Sequence, residues 1–209
     1  MNRLDRFFDS GNPVMKFLSI LVDLAILNVM TVICSIPLVT AGGALAAMNY
    51  VMLHLLRRDE TYVTQMFRSS FKENLRQGIP EGLAVILVIL ITAVDLWALH
   101  GLESKLLTVM MIAITAIAAF ILAASVYMFA LQARYENTVK GTMANALRLA
   151  VANLPRTGGM MVTWMLWVLA LVYLHKAAPL AFLLYGFTLP GYICTILYDK
   201  VLADLEKDE

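Results

Sequence analysis

The sequence predicts an all-α membrane protein of six transmembrane helices, arranged as three helical hairpins with two cytoplasmic amphipathic helices between them. Three observations lead to this prediction: the composition, six long apolar segments, and the placement of the basic residues. Of the 209 residues, 61% are apolar and 15% are charged, whereas ordinary soluble domains are about 45–50% apolar and about 25% charged. With a mean hydropathy of +0.77, the chain has too few polar side chains to cover a water-soluble globule.

Six segments approach the roughly 20 apolar residues that a helix needs to cross the hydrocarbon core of a bilayer. They are residues 16–38, 39–56, 79–100, 106–133, 158–175 and 178–198. The second segment is the least apolar, because two glycines, Asn49 and His54 dilute it. A buried helix in a soluble core is the alternative interpretation of that segment.

The basic residues favour crossing by all six segments. Cytoplasmic loops of membrane proteins are enriched in Lys and Arg. If every segment crosses and the N-terminus lies inside, 14 of the 16 Lys and Arg residues fall on the cytoplasmic side, and only Lys105 and Lys176 lie outside. If the second segment did not cross, every later loop would change sides and this asymmetry would disappear. We therefore expect a multi-pass protein with both termini in the cytoplasm.

An amphipathic segment follows the second apolar segment and another follows the fourth. The apolar stripe of the first comprises Val63, Met66, Phe67, Phe71 and Leu75, and that of the second comprises Val139, Met143, Ala146, Leu147, Ala150 and Leu154. Such spacing is typical of a helix with one apolar face. These helices are either interfacial anchors or docking surfaces for a partner. The pattern predicts one membrane domain over residues 1–209, with a parallel repeat (16–78 and 79–158) and a third hairpin at 159–198.

Polar residues inside the apolar segments are functional candidates, because a desolvated polar group needs a partner. Asp23, Asn49, His54 and Asp95 form the candidate intramembrane polar site. A hydrogen bond from Asp23 to Asn49, or a contact with Lys16 or His54, would fix the register of the first hairpin. A path for a solute or for protons is the alternative interpretation. Asp95 is expected near the outer end of the third segment.

Small residues at helical spacing predict a close helix–helix contact in the second segment. Gly42 and Ala46 form one small-xxx-small pair, and Gly43 and Ala47 form another. In lipid, such pairs allow helix backbones to approach closely, where no hydrophobic force between helices is available. We expect these four residues to serve packing.

The last apolar segment contains a predicted helix break. Pro190 removes a backbone donor near its middle, and Gly186 and Gly191 flank that position. Discontinuous helices at this depth often form transporter sites, but Pro and Gly are also common in ordinary membrane helices. Both a plain kink and a binding role are open.

The motifs of common enzymes are absent from the sequence. It contains no HExxH, GxSxG, GxxxxGK[ST] or GxGxxG. Cys34 and Cys194 lie inside apolar runs without a CxxC arrangement, and the formal net charge of +1 gives no reason to expect nucleic acid. We therefore expect a protein that is not an enzyme and that binds no cofactor, metal or nucleic acid.

The stretch "SIPLVTAGGALAAMNYVMLHLLRRDETYVTQMFRSSFKENLRQG" resembles the signature region of the YesL family, bacterial membrane proteins classed as a domain of unknown function. The resembling features are Pro37, Thr40, Ala47, the charge cluster at 57–60, and the Phe-Lys-x-Asn pattern at 71–74. The resemblance implies a bacterial cell membrane. It also implies an accessory role in carbohydrate uptake, because family members are commonly encoded near carbohydrate transporters. It supplies no catalytic or binding residues.

Together, these observations predict a non-enzymatic accessory or interaction protein associated with carbohydrate uptake. Its expected partners are the lipid bilayer and either carbohydrate transporter subunits or a second copy of the chain. The alternative is a small-solute transporter or channel whose polar path involves Asp23, Asn49, His54 and Pro190.

Overall fold

A computed structural model of the chain describes residues 13–57, 62–99, 104–135 and 138–205. Within these residues the chain forms α-helices and short 3₁₀ turns and no β-strand. The helices are α1 (Pro13–Ser35), α2 (Ala41–Arg57), α3 (Val63–Leu99), α4 (Lys105–Gln132), α5 (Val139–Ala152), α6 (Leu154–Leu174), α7 (Ala178–Tyr185) and α8 (Thr188–Leu205). The all-α prediction is confirmed over this part of the chain. The charged turn at 58–61, the loop at 100–103 and both chain ends, which enter the orientation argument, lie outside the described residues.

Five segments of the described chain are long and apolar enough to cross a membrane. They are Val14–Ser35, Leu38–Arg57, Val63–Leu99, Lys105–Gln132 and Leu154–Tyr185. Each segment has at least the roughly 20 residues that a helix needs to match the thickness of the hydrocarbon core. The chain is accordingly a multi-pass membrane protein.

Helix α3 differs from the predicted arrangement, in which an amphipathic helix precedes a separate third span. The structure has one continuous helix of 37 residues, Val63–Leu99, with Pro80 inside it. At 1.5 Å per residue, α3 is about 55 Å long, whereas the hydrocarbon core is about 30 Å thick. The predicted boundary near residue 78 is therefore not a helix boundary, and α3 must extend well beyond the lipid.

The chain reverses direction after α6. The 3₁₀ turn His175–Ala177 follows, and His175 has a φ of 44°, in the left-handed region. Trp167 of α6 then bonds to Gly186, while Met160 of α6 and Cys194 of α8 share one core cluster. The α7–α8 arm thus runs antiparallel to α6. The predicted single segment 178–198 consists of two helices that are interrupted at 186–187.

The buried core occupies only part of the helix lengths. One cluster joins α1, α2 and the first half of α3 through residues such as Leu27, Val51 and Phe67. A second joins α4, α5 and α8 through residues such as Tyr127 and Tyr198. The second half of α3, the first half of α4 and most of α6 are exposed and apolar. An apolar surface of that extent needs lipid as its solvent.

Candidate functional site

The polar side chain of Asn49 links α2 to α8. It is 5% exposed, and its Nδ2 donates to the Leu45 carbonyl at 2.8 Å. Its Oδ1 accepts the hydroxyl of Tyr198, which is fully buried, at 3.1 Å. The Tyr198 oxygen also lies 3.2 Å from Oγ1 of Thr195. Asn49 therefore bonds to α8, and the predicted hydrogen bond between Asp23 and Asn49 is not formed within the described residues.

A cavity of about 100 Å³ lies where α2, α4 and α8 meet. Its walls are formed by Asn49, Tyr50, Leu53, His54, Arg57, Ala130, Ala133, Arg134 and Tyr198. The Nδ1 of His54 lies 2.9 Å from the Tyr50 carbonyl oxygen. The guanidinium of Arg57 donates to Oδ1 of Asp199 from Nη2 at 2.9 Å and from Nε at 3.2 Å. The cavity has room for roughly three water molecules or a small solute, and most of its polar groups already bond to protein atoms.

The structure places the other two members of the predicted polar site elsewhere. Asp23 and Asp95 are both half-buried, on α1 and on the second half of α3. Neither lines the cavity, and neither makes a hydrogen bond or ion pair with another described residue. Asn49 and His54 thus share a site, and the two aspartates do not join them.

Asn28, which the sequence analysis did not single out, makes several hydrogen bonds to the break between α7 and α8. Asn28 is fully buried on α1. Its Nδ2 donates to the carbonyls of Phe182 and Leu183 at 2.9 and 2.8 Å. Its Oδ1 accepts from the backbone N–H groups of Phe187 and Thr188 at 2.8 and 3.1 Å. All four hydrogen-bonding positions of one amide are therefore used at the break between α7 and α8.

The carbonyl that Pro190 leaves without its helical donor also has a partner. A residue at position 190 would donate its N–H to the carbonyl of Gly186 in a regular helix, and proline has no such hydrogen. The indole Nε1 of Trp167 donates to that carbonyl at 3.0 Å. The helix is interrupted at 186–187, whereas Pro190 and Gly191 lie in the first turn of α8. Side chains of α1 and α6 bond to the backbone groups at this interruption.

A crossing of four glycines joins α2 to the middle of α3. A methyl group added to Gly82 would lie 2.6 Å from the backbone nitrogen of Gly42, and one added to Gly42 would overlap the Gly78 carbonyl. The two backbones are therefore in direct contact, as the small-residue pattern predicts for one side. The residues predicted to form this packing face are all buried: Gly42, Gly43, Ala46 and Ala47.

Glu81 is a buried carboxyl group that the sequence analysis also missed. It has no exposed surface, and its Oε1 accepts from Nε2 of Gln77 at 3.1 Å. The same Gln77 nitrogen lies 3.0 Å from Oγ1 of Thr142 on α5. The Oε2 of Glu81 is buried and has no hydrogen-bond partner among the described residues. The signal that could have found it is its position beside Gly82 at the start of the third apolar segment.

The described polar groups form structural pairs rather than a reactive constellation. Asn28, Asn49 and Trp167 each make at least one hydrogen bond to an atom beyond their own helix, and these bonds tie the helices together. No group of three or more His, Cys, Asp or Glu residues that could hold a metal ion occurs within the described part of the chain. The arrangement can fix helix positions and enclose a small polar cavity.

Comparison with known proteins finds one match. Residues 24–96, about a third of the chain, match the model of a family described as a protein of unknown function, DUF624. No curated protein and no solved structure matches the chain. The matched region contains Asn28, Glu81 and all four glycines of the crossing. Over that region the chain is similar to a family whose function has not been assigned.

Proposed function

We propose that this chain is a YesL-type, multi-pass protein of the bacterial cell membrane, with its termini in the cytoplasm, that acts as a non-enzymatic accessory to carbohydrate uptake. The antiparallel return of α7 and α8 along α6 supports a helical hairpin in the last part of the chain. The sequence distribution, with 14 of the 16 Lys and Arg residues on the predicted cytoplasmic side, supports the orientation. The link to carbohydrate uptake rests on the resemblance of residues 35–78 to the YesL signature, with which the match to DUF624 is consistent.

One observation favours an accessory role over transport: the backbone groups at the break between α7 and α8 already have hydrogen-bond partners. Transporters use the free backbone groups of such breaks to bind substrate or ions. Here the backbone groups at 182, 183, 187 and 188 bond to Asn28, and the Gly186 carbonyl bonds to Trp167. A break whose backbone groups bond to side chains has little capacity left for a solute. The break between α7 and α8 then serves the packing of these helices against α1 and α6.

The alternative is a small-solute transporter or channel, and the cavity beside Asn49 and His54 favours it. A transport path needs polar groups through the depth of the bundle. The cavity walls include neither Asp23 nor Pro190, which are the other members of the hypothetical path. We therefore rank transport second.

The test is affinity purification of the tagged full chain in a mild detergent, followed by identification of the co-eluting proteins by mass spectrometry. An unrelated six-span protein with the same tag, expressed at the same level, is the control. We expect subunits of a carbohydrate transporter to be enriched over that control. We also expect deletion of the gene to slow uptake of the corresponding sugar, and the wild-type chain to restore it.

Two results would contradict the proposal. One is recovery of no transporter subunit together with unchanged sugar uptake after deletion. The other is solute flux into liposomes that contain the purified chain alone, because an accessory protein has no flux of its own. In the second case, loss of flux in Asn49→Leu or Tyr198→Phe would locate the path at the cavity.

A further inference from the structure

Helix α5 buries a narrow face of small residues. Thr142, Ala146 and Ala150 are all buried, and Ala146 and Ala150 belong to the same core cluster as residues 127–131 of α4. Four-residue spacing places these three side chains on one side of α5. The small side chains allow α5 to pack closely on α4, and they leave the rest of the helix surface uncovered.

A second row of residues, beside the buried face, is apolar and exposed. Met143, Leu147, Val151 and Leu154 are 40, 49, 54 and 57% exposed, respectively. We call these four residues the α5 ridge. Leu154 is also the first residue of α6, whose exposed surface continues with residues such as Val162 and Met165. The α5 ridge is therefore continuous with a surface that faces lipid acyl chains.

The charged residues within and just after α5 are basic. Lys140 and Arg148 are exposed on α5, and Arg156 follows in the first turn of α6. The sequence has no Asp or Glu between Glu136 and Asp199. An apolar row flanked by Lys and Arg is the pattern of a helix that lies at the membrane interface and contacts anionic headgroups.

We propose that α5 binds anionic phospholipid, with the α5 ridge in the acyl-chain layer and with Lys140 and Arg148 at the headgroup phosphate. This inference rests on the proposed position of α5 at the inner face of the membrane. It goes beyond the accessory role because it names a ligand. The continuity of the ridge with the lipid-facing surface of α6 favours lipid over an acidic protein partner. The absence of acidic side chains along this stretch favours anionic over neutral headgroups.

The test compares two double variants of the full chain, purified in a neutral detergent. Lys140→Gln/Arg148→Gln removes both basic side chains of α5. Lys105→Gln/Lys176→Gln removes the same charge at the opposite helix ends, where both lysines are exposed. Phosphatidylglycerol or phosphatidylcholine is titrated into each sample. Bound lipid is counted by native mass spectrometry, and lipid-induced shifts of the unfolding temperature are measured in parallel.

We expect the wild type and the control variant to bind phosphatidylglycerol in preference to phosphatidylcholine. Each Lys or Arg near an anionic surface contributes about 1 kcal/mol, so removal of both is expected to weaken phosphatidylglycerol binding roughly 10- to 30-fold. Lys140→Arg/Arg148→Lys preserves the charge and should retain binding. Leu147→Gln, on the α5 ridge, should weaken binding of both lipids.

Equal binding of phosphatidylglycerol by Lys140→Gln/Arg148→Gln and the wild type would overturn the inference. So would equal binding of the two lipids by the wild type. If this double variant keeps its lipid but loses a co-purifying protein, the surface docks a protein instead, and the lipid inference is wrong. Transporter subunits are quantified in the same variant, so failure of the lipid site and failure of the accessory role give different results.

Discussion

Replacement of Gly82 by alanine tests the contact between α2 and α3 directly. An added methyl group would lie 2.6 Å from the nitrogen and 2.8 Å from the Cα of Gly42. Both are backbone atoms, so neither can move away by a change of rotamer. The two helices must separate by about 0.8 Å before ordinary van der Waals contact, which begins near 3.4 Å, is restored.

The expected loss in the free energy of unfolding follows from the contacts between α2 and α3 that this separation disrupts. The first half of α3 packs along α2, and Phe67 of α3 shares a buried cluster with Val51 of α2. Overpacking of a well-packed interface typically costs about 1–3 kcal/mol. Against this, alanine gains about 0.5–1 kcal/mol over glycine within a helix. We expect a net loss of about 1–2 kcal/mol, which corresponds to a fall of several degrees in the unfolding temperature for a chain of this size.

Gly158→Ala is the matched control, because it makes the same substitution within α6 where no atom lies within 4 Å of the added methyl group. Both variants and the wild type are purified in the same detergent, and thermal unfolding is followed by circular dichroism. We expect Gly82→Ala to unfold at a lower temperature than the wild type, and Gly158→Ala to unfold at the same or a higher temperature. If both variants shift in the same direction by the same amount, the close glycine crossing does not exist.

Three further predictions concern the polar contacts, each checked by the same unfolding measurement. Asn28→Asp should destabilise the protein by about 2–4 kcal/mol, because a carboxylate cannot donate to the two carbonyls that the amide now serves and a buried unmade bond costs about 1–3 kcal/mol. Trp167→Phe should cost about 1 kcal/mol, and much less in a Pro190→Ala background, where the new backbone N–H replaces the indole donor. Tyr198→Phe should cost about 1–3 kcal/mol, because it leaves a buried amide oxygen unpaired.

Each of these predictions has an outcome that contradicts it. An Asn28→Asp protein as stable as the wild type would mean that the amide donors are not needed at the break. Additive effects of the Trp167 and Pro190 substitutions would show that the two residues do not act on one carbonyl. For Tyr198, the control is Tyr173→Phe, at a side chain that is 92% exposed. Equal effects of the two tyrosine substitutions would remove the hydrogen bond as the cause.

The sequence predicted one side of the glycine crossing and not the other. Gly42 and Gly43 stand in a plainly apolar segment, so their spacing indicates packing. Gly78 and Gly82 have the same four-residue spacing, but they flank Pro80 and follow a charged stretch. Composition therefore suggested a boundary between two helices at that point. The helix continues because its glycine face packs against α2, and this packing is a tertiary effect that a local window does not contain.

For the polar residues, too, the sequence shows the residue type but not the tertiary contacts that it makes. Asp23 is a candidate because it carries a charge inside an apolar segment, but it makes no hydrogen bond or ion pair with another described residue. Asn28, five residues later, is uncharged, and its four partners lie more than 150 residues away in the chain. They are backbone atoms of a helix break, which carry no signature of their own in the sequence. The break itself was predictable from Pro190, whereas the identity of the groups that satisfy it was not.

The first half of α3 shows why a core helix can have the composition of a surface helix. Its residues divide among three faces at helical spacing. Phe67, Leu75, Gly78 and Gly82 face α2, and Ser70, Asn74, Gln77 and Glu81 lie on the adjacent face, which contacts α4 and α5. The third face carries the exposed Arg68, Lys72 and Arg76. One of the two buried faces is polar and the other is rich in glycine. The average hydropathy of this stretch is therefore low, although both faces contact other helices. On the polar face, Gln77 donates to Oγ1 of Thr142 on α5, and Gln132 of α4 donates to the backbone carbonyl of Asn74. Hydrogen bonds from neighbouring helices thus help to retain this face inside the bundle.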